Sequence, residues 1–142
     1  MGPSLLPAHE SNRWGFYEDR ALVKLNDRYL QDAAPFSDWL HPTTPTPNGA
    51  NVAAAHNYIT ARSHLADAGQ WGMKDPRLSI TWPIWAAAFQ RRPELEVIMV
   101  YSSRTDTAIA DSLAARDGIP HADALDWAHT YRDAALTHMA GR

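Results

Sequence analysis

Between Glu18 and Asp32, apolar residues recur at helical spacing: Leu22, Leu25 and Tyr29, with Val23 and Leu30 beside them. The pattern predicts an amphipathic helix, with acids in its first turn to complement the helix dipole. A looser stripe of Val52, His56, Ile59 and Leu65 predicts an alanine-rich helix over Ala50–Ala68, with Gly69 as its stop. Thr81-Trp82-Pro83 reads as a helix start with proline in or near the first turn, running to about Arg91. Two more helices follow. Asp106–Arg116 points Ile109 and Leu113 inward and ends at Gly118; Ala122–Met139 carries Leu125, Ala128, Tyr131 or Arg132, and Leu136.

Leu95–Tyr101 breaks the helical period. Its five consecutive apolar residues, Val97 to Tyr101, suit a strand buried on both faces of a parallel sheet. Gln70–Lys74 is a second, shorter strand candidate, ending at Asp75-Pro76 where proline enforces an extended or turning backbone. Three prolines in His41–Gly49 make that stretch a loop. Strands separated by helices predict an α/β fold, a small parallel sheet flanked by helices, in a single domain spanning residues 1–142.

Composition narrows the function classes. A net charge of −3 offers no basic surplus for a nucleic-acid backbone. The chain has no cysteine, which removes disulfides, thiolate metal sites and a cysteine nucleophile. The first residues lack a signal-peptide pattern, and the longest apolar runs, Trp82–Phe89 and Val97–Tyr101, are too short to span a bilayer. The expectation is a cytoplasmic protein without membrane or nucleic-acid partners. His56/His64 and His121/His129 are eight apart, roughly 12 Å along a helix and too far to share an ion, so no metal is expected.

Three segments carry candidate chemistry. Arg104 follows the strand candidate and Ser112 lies about 10 Å into the next helix; an arginine folding back along that helix would let both touch one phosphate. Equally, Arg104 could be a solvated loop residue and Ser112 a neutral helix position. Lys74, Asp75 and Arg77 cluster after the short strand candidate, where cations could neutralise a transferring anion and a carboxylate could deprotonate an acceptor hydroxyl. The plainer alternative is an Asp–Pro turn with surface charges. Asn12–Arg20, with aromatics around Gly15 and then Glu18 and Asp19, could shape an acceptor pocket or simply lead into a helix.

In order along the chain, these segments resemble the bacterial branch of the sulfotransferase family. Leu5-Leu6-Pro7 through Asn12–Arg20, then Leu25-Asn26-Asp27, is similar to the family's stretch after its first helix. Lys74–Leu78 followed by Trp82-Pro83-Ile84-Trp85 resembles its mid-domain signature. Val97–Tyr101, Arg104, Ser112-Leu113 and Arg116-Asp117-Gly118 resemble the strand–loop–helix that grips the donor's 3′-phosphate, and Ala124-Leu125, Trp127 and Tyr131 fit the final helix. The resemblance implies a partial P-loop-type three-layer domain with PAPS (3′-phosphoadenosine 5′-phosphosulfate) as donor and PAP as its product. Arg104 and Ser112 would then bind the 3′-phosphate, with Arg77 also on the nucleotide. Lys74, Asp75 and Glu18 would serve the sulfuryl and acceptor side, the general base being either Asp75 or Glu18.

One departure bears on activity. The family opens with a Gly-x-Pro-Arg-Ser-Gly-Thr-Ser loop that holds the 5′-phosphosulfate, and this sequence begins downstream of where that loop would stand. Transfer to a hydroxyl or amine is therefore expected only when an upstream segment completes the site, because preorganised donors around developing charge are usually the largest catalytic contribution. Thr105-Asp106 after Arg104 is a milder departure from the family's frequent Asp-Pro. The rival reading is a non-catalytic protein of the same fold that forms homo-oligomers through an exposed sheet edge.

Overall fold

A computed structural model describes residues 5–6, 18–66 and 69–140. Five helices account for the regular structure of these residues: α1 (Arg20–Ala33), α2 (Gly49–Leu65), α3 (Leu78–Phe89), α4 (Asp106–Asp117) and α5 (His121–Ala140). Each expected helix is present. Among the described residues there is no sheet, only an isolated antiparallel bridge between Leu5 and Asp19.

The α/β expectation, with its parallel sheet and three-layer P-loop-type architecture, is thus corrected to an all-helical arrangement. A strand exists through its ladder, and among the described residues neither strand candidate has one. Residues 95–101 alternate between half-buried and exposed rather than being covered on both sides, with Ile98 76% and Val100 86% exposed. Residues 71–74 alternate in the same way. Both segments keep the two-residue period of an extended chain without forming a ladder among the described residues.

Caps explain where the helices begin. Asp19 Oδ1 accepts the Ala21 and Leu22 amides at 2.8 and 3.4 Å, Asn48 Oδ1 accepts Asn51 at 2.9 Å, and Thr105 Oγ1 accepts Ala108 at 3.3 Å. α3 starts differently. The Asp75 and Pro76 carbonyls accept the Leu78 and Ser79 amides, so the chain coils from the Asp–Pro turn directly into the helix. Pro83 therefore lies inside α3 rather than in its first turn, and the α3 start expected at Thr81 moves back to Leu78. Gly118 closes α4 at φ 68°, the left-handed position that glycine adopts without strain, and returns its amide to the Ala114 carbonyl.

The chain divides into two compact units, residues 1–97 and 98–142. In the first, α1, α2 and α3 pack around the fully buried Trp85. Its ring meets Tyr29 and Tyr58 edge-on, at centroid distances of 5.9 and 5.6 Å. Leu22, Val52, Ala55, Ile59 and Ile84 complete this core, whereas Leu65, expected on the inward stripe of α2, is 69% exposed. In the second unit α4 and α5 form a hairpin. Ala110 and Leu113 of α4 and Ala124, Ala128, Tyr131 and Ala135 of α5 are buried, with Trp127 stacked on Tyr131 at 4.1 Å. Leu136, expected inward, is 47% exposed. Among the described residues no helix is long and apolar enough to cross a membrane.

Candidate functional site

In the first unit a polar network is threaded through the apolar core. Asn26 lies on the buried face of α1, in line with Leu22, Tyr29 and Leu30. Its Oδ1 accepts the Trp85 indole N–H at 2.8 Å, with the Thr81 hydroxyl also at 2.8 Å. Its Nδ2 donates to Asp75 Oδ2 at 2.9 Å. This orientation of the amide alone presents an acceptor to two donors and a donor to a carboxylate. The Thr81 hydroxyl has the Arg77 carbonyl in reach as well, at 3.0 Å, and its single proton serves one acceptor at a time.

Asp75 is fixed from every side. Besides Asn26, it accepts the Arg77 amide at 3.0 Å and Arg77 Nη1 at 2.8 Å, both on Oδ1, and its side chain is wholly buried. Arg77 also places Nε 2.8 Å from Asp27 Oδ1, an ion pair rather than an aligned hydrogen bond. Burial works against the Arg77 charge, but Asp75 and Asp27 more than offset it and push its pKa up. The guanidinium is thus committed to two carboxylates.

Glu18 and Lys74 form the accessible edge of the network. Lys74 Nζ lies 3.2 Å from Glu18 Oε1; the lysine side chain is 62% exposed and the glutamate's 11%. Burial raises the Glu18 pKa, the neighbouring Asp75 adds to the rise, and Lys74 opposes it. Asp27 is raised by burial too, against the pull of Arg77. Next to Glu18, Asp19 pairs with Arg62, whose guanidinium sits 5.2 Å from the centre of the Tyr58 ring. Burial pushes the Tyr29 and Tyr58 phenols up to about 12, and Tyr29 donates to the Asn51 carbonyl at 3.1 Å.

Of the residues singled out in the sequence, Glu18, Lys74, Asp75 and Arg77 converge in this one network although 56 positions separate Glu18 from Lys74. Arg104 and Ser112 belong to the second unit. Arg104 is exposed, just ahead of the α4 cap, and Ser112 is half-buried midway along α4. No hydrogen bond between them is formed among the described residues. The Asn12–Tyr17 motif lies outside the described residues. Asn26, Thr81 and Trp85 entered only as members of motifs, not as site candidates, yet a polar residue on an otherwise apolar stripe, as Asn26 is, marks a buried hydrogen-bonding hub.

The chain matches no protein-family model, no curated protein and no solved structure.

Proposed function

We propose that the first unit is the acceptor side of a sulfotransferase-like protein, in which Glu18 takes the acceptor's proton and Lys74 holds the anionic group being transferred. The juxtaposition of these two side chains, 3.2 Å apart at the edge of a buried network, carries this reading. A carboxyl raised by burial is a better proton acceptor than a solvated one. An exposed ammonium beside it supplies positive charge for a sulfuryl oxygen. Asp75, the other base candidate, already accepts three hydrogen bonds through a wholly buried side chain, so its role is to hold Arg77 and Asn26 in position.

In the reaction so framed, the acceptor oxygen or nitrogen forms a bond to sulfur as the bond from sulfur to the 5′-phosphate oxygen breaks. PAP leaves, and the acceptor proton passes to Glu18. PAPS is the donor. In the second unit, taken by itself, Arg104 and Ser112 are the candidates for the 3′-phosphate, a role to which an exposed arginine is suited. Arg77, with its charge spent on Asp75 and Asp27, supports the site rather than the nucleotide.

Calorimetric titration with PAP tests the nucleotide part. Saturable heat is expected, with affinity lowered about tenfold by Arg104→Ala, the worth of one charge-assisted hydrogen bond. Lys74→Met should leave PAP affinity unchanged and weaken PAPS, since only PAPS carries the sulfuryl group. Neither heat nor a thermal shift at millimolar nucleotide would overturn the reading.

A further inference from the structure

Glu18 and Lys74 share an ion pair whose two ends stand in different surroundings. The Lys74 side chain is 62% exposed and that of Glu18 11%, with 3.2 Å between Nζ and Oε1. For Lys74, leaving the pair costs little, because water or a dissolved anion solvates an exposed ammonium about as well as the carboxylate does. For Glu18 the loss is larger, since a nearly buried carboxylate without its cation keeps an uncompensated charge. The main chain holds Glu18 in place. Its carbonyl accepts the Leu6 amide at 2.8 Å, and Asp19 beside it caps α1 and pairs with Arg62 on α2. Arg77, the other cation acting on Glu18 among the described residues, is committed to Asp75 and Asp27 and so cannot replace Lys74.

We infer that a tetrahedral oxyanion competes with Glu18 for Lys74, and that Glu18 takes up a proton from solvent as Lys74 turns to the anion. The inference rests on the reading of Lys74 as the residue that holds the transferred group, and adds an order of events: the base is released once that group is in place. Burial lifts the Glu18 pKa, Lys74 is the strongest pull against that lift, Asp75 adds to it, and Arg77 opposes it more weakly. Withdrawing Lys74 therefore raises the proton affinity of the carboxyl further, and the charge of the arriving anion acts in the same direction. Lys74 keeps its three protons throughout. By linkage, an anion that brings a proton with it binds more tightly as pH falls. Where the carboxyl stays ionised, the same release makes it a stronger base than in the resting pair.

Titration of the full chain with inorganic sulfate tests this, from the ordinary carboxyl value of 4.5 up to neutral pH. Calorimetry in buffers of different ionisation enthalpy counts the protons taken up. Uptake approaching one proton is expected within that range, with sulfate affinity falling about tenfold from its acid end to neutral pH. Carbon NMR of the natural chain should show the Glu18 carboxyl titrating at higher pH when sulfate is saturating, a measurement that needs no variant to fold. Glu18→Gln should bind sulfate at every pH about as tightly as the natural chain does in acid, without proton uptake. In Lys74→Met, Glu18 should titrate above its value in the natural chain and no longer respond to sulfate. A pH dependence that survives Glu18→Gln, a Glu18 titration indifferent to sulfate, or no sulfate binding at all would overturn the inference. The nucleotide reading fails separately: silence towards PAP beside a sulfate-shifted Glu18 supports the inference alone, and saturable PAP heat beside an unmoved Glu18 ends it.

Discussion

Among the described residues, the two units solve the same problem, packing helices against one another, with opposite materials. Residues 1–97 bury large aromatics and then run a polar network through them: Trp85 is fully buried, yet its N–H ends on Asn26, which is bonded to Asp75, which holds Arg77. Residues 98–142 bury mostly alanine, and their ion pairs, such as Arg116–Asp117 and His121–Asp111, sit at the surface. The difference teaches where charge matters. A buried pair depends on the hydrogen bonds and opposite charges around it, so each member constrains the others. A surface pair is screened and contributes little. In the first unit such surroundings shift a carboxyl, that of Glu18.

The comparison breaks most visibly at Asn26. Asn26→Ala strips partners from the Trp85 indole, the Thr81 hydroxyl and the Asp75 carboxylate at once, and should cost about 3 kcal/mol or more. Urea unfolding followed by circular dichroism measures it; a loss below about 1 kcal/mol would mean the network is not a unit. In the hairpin the vulnerable feature is closeness. Ala128→Leu adds volume at a site only 2% exposed and should cost about 1–3 kcal/mol, read as faster hydrogen exchange confined to α4 and α5. Gly118→Ala tests backbone rather than packing. An added Cβ meets nothing within 4 Å, so the cost of about 1 kcal/mol comes from the left-handed φ alone, and Gly118→Asn should recover part of it.

The smallest effect is a pH dependence. Burial raises the folded-state pKa of Glu18, so the folded protein prefers the protonated carboxyl, and this contribution is present below the unfolded value of 4.5 and lost as pH rises through the folded value. Glu18→Gln should thus gain stability over the natural chain at neutral pH, with the gain shrinking as pH falls towards 4.5. Paired urea titrations across that window check the sign. A difference that grows on acidification would mean that the Lys74 pair, not burial, governs Glu18.

Helix positions were legible because they rest on local rules, apolar spacing and Gly118 as a stop, while the Asp19, Asn48 and Thr105 caps emerged only with the structure. The sheet was misread because a run such as Val97–Tyr101 says only that the residues are apolar. Whether they pair depends on a neighbouring segment, which is not a local property. Pro83 misled for a related reason. Proline at a helix start is the common case, but the Asp75 turn launched α3 upstream of it. Grouping Lys74, Asp75 and Arg77 needed only adjacency. That Glu18 would join Lys74 while Arg77 closed inward on Asp27 depended on how α1 meets α3.

One consequence concerns light. Trp127, in contact with the Tyr131 ring, is the sole tryptophan encoded after residue 97. Replacing it with phenylalanine silences indole emission from the hairpin while keeping an aromatic ring there, and subtracting the two spectra isolates that half. The natural chain thus carries a built-in optical label by which melting of its C-terminal third can be watched separately from the rest.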